Sequence, residues 1–293
     1  MKSDPSLTIV RPCLYLVATP IGNLGDFTHR AVTILRGVDL ICAEDTRTSQ
    51  RLLDHYAIEN ALESLHDSNE EVRVARILHR VISGPMAVAV ISDAGTPLVS
   101  DPGYRLAKAM HVAGIPVRSI PGPSALLAGL TISGLAVDRF SFEGFLPTRR
   151  MGRIARLKEL IDEPRSMVFF EAPHRIRETV DDMVVVFSPL RAAFVGRELT
   201  KKFETHYRGT LREIADAIAT DPNAIRGEFV IVVEGSAVAR IDKTLAARLL
   251  RELTGHVSRR DAVEIVAAAT ELPRNVVYEL VVKLGLPSDQ QET

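Results

Sequence analysis

Read for apolar and polar positions, the chain begins its regular pattern with a short apolar run, Cys13-Leu-Tyr-Leu-Val-Ala18, which breaks off into Thr19-Pro20-Ile21-Gly22-Asn23-Leu24-Gly25-Asp26. Similar runs recur at 39–43, 87–91 and 115–120. Runs that are apolar at both parities read as strands buried on both faces, the habit of a parallel sheet. Helical stretches separate them. One has Thr28 as its N-cap and Gly37 as its stop, one runs from about Ser49 to Tyr56, and one ends near Val81. A fourth begins at Tyr104, and a helix of small residues follows Ser124. Strand and helix alternating through short loops predict an α/β fold with a parallel sheet covered on both faces. Residues 1–11 read as a loose tail.

The pattern changes after Phe140. Strands are predicted more closely together, at 167–170, 192–196, 203–208 and 228–234, as in a second α/β domain with mixed pairing. A third unit starts near Ile241, where Ser258–Ala269 and Pro273–Lys283 read as two short helices. Ser258 and Asp261 are spaced as a capping pair, Pro273 stands at a first helical position, and the three-residue joint has helix-turn-helix spacing. The predicted domains are thus 1–125, 126–240 and a C-terminal helical module over 241–293.

Four strands of the first domain end in loops dense in turn-forming and polar residues: Thr19–Asp26, Glu44–Arg47, Ser92–Pro97 and Pro121–Ser124. In a parallel sheet such loops share one edge, where ligands of open α/β sheets bind. Each loop alone is explained by turn chemistry; together, and with Gly196–Lys201, they predict a shared cleft.

Composition narrows the chemistry. Of 293 residues 46% are apolar and 25% charged, and 36 basic side chains stand against 37 acidic ones, so net charge alone indicates no polyanionic partner. Cys13 and Cys42 lie in apolar runs and read as small buried hydrophobes, with neither a disulfide framework nor a metal site. No stretch approaches the roughly 18 apolar residues of a membrane span, and the N-terminus lacks a signal-peptide pattern, so a cytoplasmic location is expected. Neither G-x-G-x-x-G at the first helix, nor G-x-x-x-x-G-K-[ST], H-E-x-x-H or paired C-x-x-C occurs, which disfavours a standard dinucleotide site, a P-loop and zinc chemistry.

Nine short motifs occur in order: Leu16-Val-Ala-Thr-Pro-Ile-Gly-Asn-Leu-Gly25, Ala43-Glu-Asp-Thr-Arg47, Leu65-His-Asp67, Ser92-Asp-Ala-Gly-Thr-Pro-Leu98, Asp101-Pro-Gly-Tyr104, Pro121-Gly-Pro-Ser124, Glu143-Gly-Phe-Leu-Pro147, His174-Arg175 and Arg197-Glu-Leu-Thr-Lys201. Together, across essentially the whole chain, they resemble the small-subunit ribosomal RNA methyltransferase I family, a branch of the tetrapyrrole methylase superfamily. The resemblance implies two α/β domains of tetrapyrrole methylase type with a cofactor cleft between them, plus a small C-terminal helical module. It implies S-adenosyl-L-methionine as cofactor, and methylation of the ribose 2′-hydroxyl of a cytidine in the decoding region of small-subunit (16S) rRNA. It also implies a homodimer acting on small-subunit rRNA or the ribosomal subunit, with no metal and no membrane. Carried over by position, the cofactor contacts fall on Pro20, Ile21, Ala94, Gly95, Thr96, Val99, Ser124 and Ala125, with Glu171 and Leu199 added. Where tetrapyrrole methylases have G-x-G-P-G-D, this chain has Ala18-Thr-Pro-Ile-Gly-Asn23, a departure that places it in the rRNA branch.

Methyl transfer to a hydroxyl needs in-line positioning and a base for the departing proton. Asp93, Glu44, Asp45, His66 and Glu198 stand at strand ends as candidates, with Lys201 beside Glu198. Glu44 and Asp45 next to Arg47 equally suit a structural ion-pair cluster, His66 a hydrogen-bonded loop residue, and Glu198 with Lys201 either a ribose-positioning pair or a plain ion pair. Arg149, Arg150, Arg153, Arg156 and Lys158 form a basic run without local anions, which suits either phosphate contact or the solvated side of a helix. Arg149, Arg150 and Arg153, with Arg47 and Arg175, are the candidates for holding RNA. The rival readings are a methylase of a tetrapyrrole or other small molecule, and a nucleic-acid-binding regulator built on the C-terminal helices. Residues 273–284 lack the strongly basic face the regulator requires.

Overall fold

A computed structural model of the chain describes residues 8–66, 68–236, 243–270 and 272–286. The first residues of the N-terminal tail, Asp67 of the Leu65–Asp67 motif and the expected start of the third unit at Ile241 lie outside the described residues. The described chain divides into two units. Both sheets with their helices, as far as Glu234, form the first, and the segment from Gly235, with Asp162–Pro164, forms the second.

The first sheet holds β1 (Cys13–Val17), β2 (Leu40–Ala43), β3 (Leu62–Ser64), β4 (Ala87–Ile91) and β5 (Val117–Ile120) in the order β3-β2-β4-β1-β5. All its pairings are parallel. Helices α1 (His29–Gly37), α2 (Thr46–His55), α3 (Glu70–Ser83) and α4 (Tyr104–Val112) cover it. Strand parity sorts the core. Cys13, Tyr15 and Val17 pack with Ala31, Ile34 and Leu35 of α1 and Leu53 of α2. Leu14 packs on the other face with Ile77 of α3 and Leu106 and Met110 of α4. The neighbouring strands β1 and β4 therefore send their following helices to opposite faces, the topological switch point at which a crevice opens beyond the strand ends.

Local chemistry explains most element boundaries. The Thr28 hydroxyl accepts from the Ala31 N–H at 3.1 Å and starts α1 as expected. Helix α2 starts three residues earlier than the expected Ser49, because the Asp45 carboxylate accepts from the Arg47 N–H at 2.7 Å. Asp45 is thus a helix cap. Strand β3 is short and half-buried at the sheet edge, and its mixed pattern carries no strand signal. Buried Glu70 accepts from the N–H groups of Gly103 at 3.2 Å and Arg105 at 3.0 Å, fixing the turn that leads into α4.

The second sheet holds β6 (Phe140–Phe145), β7 (Ser166–Glu171), β8 (Ala192–Arg197), β9 (Thr205–Thr210) and β10 (Phe229–Val233), in the order β6-β7-β10-β8-β9. Only β6 and β7 pair in parallel, so pairing is mixed. Helix α5 (Ala125–Ile132) leaves the end of the first sheet and lays Leu126 and Leu130 against Val168, Phe194 and Val230. Gly129 permits this approach: a Cβ there would lie 2.6 Å from Val230 Cγ1. Helices α6 (Arg150–Glu159), α7 (Ile176–Phe187) and α8 (Leu211–Thr220) cover the opposite face.

The second unit consists, among the described residues, of α9 (Lys243–Leu253), α10 (Arg259–Thr270) and α11 (Arg274–Lys283) around Leu250, Val266, Val277 and Val281. Ser258 accepts from the Asp261 N–H at 3.1 Å and donates to its carboxylate at 2.7 Å, the expected capping pair. Pro273, expected at the first helical position, is instead the N-cap of α11, one residue before its first helical residue, Arg274.

Candidate active site

A cleft of about 430 Å³ lies beyond the carboxyl ends of β1, β4 and β5, with its far wall supplied by the second sheet. That volume is typical of a small-molecule site. On the near wall the three strand-end loops are laced together. Thr19 and Gly95 exchange backbone hydrogen bonds at 2.9 and 3.1 Å, the Thr19 hydroxyl donates to the Ser92 carbonyl at 3.0 Å, and the Thr96 hydroxyl donates to the Pro123 carbonyl at 3.2 Å. Gly95 has φ 85°, and a Cβ there would stand 3.3 Å from Ile21 Cγ2, so a side chain would be strained and would intrude on the loop lining the cleft. In the same loop Leu98 (φ 71°) and Ser100 (φ 66°) adopt left-handed backbone. Strain of this kind persists where the surroundings hold it, and it clusters at ligand sites.

The far wall shows the same feature, with Glu198 at φ 52° and Thr200 at φ 67°. Lys201 is held there by two carboxylates, its Nζ 2.8 Å from both Glu198 Oε1 and Glu228 Oε2. Burial pulls the Lys201 pKa down, but these two bonds more than offset it, so the ammonium is retained. The lysine stem crosses Gly22 of the first loop, where a Cβ would fall 2.2 Å from Lys201 Cγ. Glu171 is buried at the floor, accepting from the Thr179 hydroxyl at 2.6 Å and the Ala172 N–H at 2.7 Å, with Arg175 Nε 3.3 Å away.

Electrostatics single out two carboxyls on the near wall. Burial foremost, with the charges of Glu44 and Asp93 and against a hydrogen bond from Ser92, raises the Asp101 carboxyl from 3.8 to about 6. Asp93 is shifted upward more modestly, by partial burial and Asp45, against a 3.2 Å bond from the Asp45 N–H. A carboxyl placed as Asp101 is able to exchange a proton near neutral pH.

The lining residues meet the sequence expectations unevenly. Ile21, Ala94, Gly95, Thr96, Val99, Ser124, Ala125, Glu171 and Leu199 all line the cleft, whereas Pro20 does not. Asp93 and Lys201 line it; Glu198, bonded to Lys201, does not, and neither does Glu44, whose charge nonetheless raises Asp101. His66 is away from the lining. Its ring nitrogens contact Ser68 Oγ at 2.8 Å and Asn69 Nδ2 at 3.0 Å, making it the hydrogen-bonded loop residue of the alternative reading. Asp101, Phe145, Phe170 and Glu228 line the cleft without having been singled out. Asp101 and Phe145 stood within quoted motifs, where Asp101 was read only as part of a turn and Phe145 was given no role.

The basic run requires a correction. Arg153 is fully buried, with Nε 2.8 Å from Asp182 Oδ2 and Nη2 3.2 Å from Glu178 Oε2, so it is not part of an exposed basic face. Its neighbour four residues on, Leu157, is buried with it, and the anions missing from the local sequence come from α7. Arg150 also pairs with Asp182, at 3.0 Å, and Arg156 pairs with Glu143 and Glu159. Arg175 is spent on structure, donating to the Leu146 carbonyl at 2.7 Å beside Glu171. Arg47 is exposed at the start of α2, and exposed Arg149 has no ion pair among the described residues. None of these six arginines lines the cleft. Among the described residues there is no metal-binding cluster of His, Cys, Asp or Glu, and no helix is long and apolar enough to cross a membrane.

Two α/β sheets closing a cleft at a strand switch define a fold class that comparison identifies. The sequence profile of Tetrapyrrole (Corrin/Porphyrin) Methylases matches residues 13–215, and that of the RsmI C-terminal HTH domain matches residues 241–285. The crystal structure of uroporphyrin-III C-methyl transferase from Thermus thermophilus, complexed with S-adenyl homocysteine, superposes with TM-score 0.52 at 19% identity, covering 77% of this chain and 98% of that one. At this identity the likeness concerns the fold alone. Closer in sequence are proteins named ribosomal RNA small subunit methyltransferase I. The one from Xylella fastidiosa (strain Temecula1) is 48% identical over 266 residues, 90% of this chain and 97% of its own length. The one from Pseudomonas aeruginosa is 44% identical over 269 residues, 91% and 95% respectively. The chain belongs to the ribosomal RNA small subunit methyltransferase I family, within the tetrapyrrole methylases.

Proposed function

We propose that this protein transfers a methyl group from S-adenosyl-L-methionine to the ribose 2′-hydroxyl of a cytidine in the decoding region of small-subunit rRNA, acting as a cytoplasmic homodimer. The observation that carries the reading is the convergence of strand-end loops from both sheets on one cleft, with left-handed, strained backbone on each wall. The residues fit the cofactor. Ile21, Val99 and Leu199 offer apolar surface, bare backbone at Gly95 permits close approach, and Asp93, Asp101 and Glu228 suit its positive charges. When bound, the sulfonium supplies an already activated methyl group, so the protein's task is positioning and proton removal. The 94–96 loop and Ser124–Ala125 hold one side of the ligand, and Glu171 and Leu199 the other. Lys201, fixed by Glu198 and Glu228, keeps the far loop in place. Asp101, with Asp93 beside it, accepts the proton leaving the ribose hydroxyl. Of the five RNA candidates, Arg149 and Arg47 are exposed outside the cleft without an ion pair among the described residues, and they meet phosphates.

The test uses labelled S-adenosylmethionine with purified small subunits from a strain lacking this gene, the product being mapped by nuclease digestion and mass spectrometry. A 2′-O-methylcytidine in the decoding region is expected. Cofactor binding without transfer to subunits or rRNA would overturn the RNA substrate and favour a small-molecule acceptor.

A further inference from the structure

Strand β6 departs from regular alternation at one place. Against β7, Phe142 stands opposite Val168, Gly144 opposite Phe169 and Phe145 opposite Phe170, so Glu143 is an extra residue in the ladder. In a regular strand, residues 142 and 145 point to opposite faces. The bulge returns them to the same one, a known device for re-aiming a side chain beside a site. Gly144 takes φ 64° there, and Glu143 is pinned by Arg156, whose Nη2 lies 2.8 Å from its carboxylate. A ladder of rings results. Phe142 meets Phe170 edge-to-face at 4.9 Å, and Phe170 meets Phe145 at 5.7 Å.

Phe145 ends this ladder inside the cleft and remains 55% exposed. A ring buttressed by a second ring and left open in a cleft presents a flat π-face to whatever enters. A nucleotide whose ribose is to react must be single-stranded or drawn from its stack, and bases so displaced are held by stacking on aromatic side chains. Arg149, four residues further along the chain, is exposed and lacks an ion pair among the described residues, so it can meet the adjoining phosphate.

We propose that Phe145 is the platform on which the base of the target nucleotide stacks, presenting the ribose hydroxyl toward Asp101 on the opposite wall. The inference rests on the proposed RNA methylation and adds the residue that holds the base. It is tested with Phe145→Ala, Phe145→Leu and Phe145→Trp, reading methyl transfer to small subunits and, separately, S-adenosylmethionine affinity by calorimetry. Alanine and leucine should lower kcat/KM for the subunit roughly 10- to 100-fold, the range of one lost base–aromatic stack, while cofactor affinity stays unchanged and tryptophan retains most activity. Leucine performing as well as phenylalanine would reduce Phe145 to an apolar contact and overturn the proposal. A matching loss of cofactor affinity would assign the ring to the cofactor instead. An unaltered protein that binds cofactor but methylates no RNA removes the proposed function and the platform together. Normal transfer with indifferent Phe145 variants removes the platform alone.

Discussion

Arg153 offers the clearest contrast between what the local sequence suggests and what the structure assigns. The perturbation is Arg153→Met, which keeps the length of the aliphatic stem and removes the charge. The guanidinium is fully buried and bonds Asp182 at 2.8 Å and Glu178 at 3.2 Å. Glu178 is largely exposed and returns to solvent without it, but Asp182 is 1% exposed and keeps only Arg150, 3.0 Å away. Breaking one arm of a buried ion pair costs about 3–5 kcal/mol, and the retained Arg150 contact places the expected loss near the lower end. At ~2–4 °C per kcal/mol for a unit of this size, a loss of about 3 kcal/mol lowers Tm by ~6–12 °C. The assay is thermal and urea unfolding of four proteins: unaltered, Arg153→Met, Asp182→Leu, and the pair combined. Removing both charges leaves no uncompensated anion, so the double variant should recover most of the stability lost by either single one. Arg149→Ala, at an exposed position, should stay within about 0.5 kcal/mol of the parent and lower activity on RNA instead. Arg153→Met that unfolds normally yet raises the RNA KM would refute the reasoning and restore Arg153 to the substrate surface.

Four further outcomes are expected. Gly95→Val should abolish S-adenosylmethionine binding with the fold intact, because its φ of 85° excludes a branched side chain and a Cβ there would already crowd Ile21; unchanged affinity in calorimetry sinks the cofactor assignment. If ionised Asp101 takes the proton, transfer should rise with pH and level off above about 6, and Asp101→Asn should remove both the limb and most of the rate. Because folding raises this carboxyl from 3.8, its ionisation favours the unfolded chain, so stability from this group falls as pH rises from about 4 to 6, and Asp101→Asn should stabilise the protein at neutral pH but not at pH 4; equal effects at both pH values would count against the shift. Burial pushes the Cys42 thiol up to about 12 and raises Cys13 as well, so a thiol reagent at mildly alkaline pH should label neither before unfolding, and prompt labelling would contradict their burial.

Much of the site was legible because strand ends announce themselves. The continuous apolar runs of β1 and β4 and the turn residues that stop them locate the loops that carry Ile21 and Gly95–Thr96. Asp45 was misread within a charge cluster because a helix cap and an ion-pair partner are the same residue type, and only the Arg47 N–H distinguishes them. His66 stood at a strand end yet is turned to Ser68 and Asn69 rather than to the cleft. Strand β6 escaped because its bulge breaks the period-two pattern that marks a strand.

The amino-acid sequence by itself determined where most strands and helices of the first sheet lie, which loops share the sheet edge, and how Thr28 and Ser258 start their helices, since periodicity, turn chemistry and capping act over a few neighbouring residues. The tertiary structure alone decided which charges are available and which faces are wet. Arg153 is neutralised from α7, Asp101 is shifted by burial and by Glu44 at another strand end, and Phe145 reaches the cleft through a register shift against β7. Burial and electrostatic pairing depend on groups brought together from distant parts of the chain, and no local window contains them.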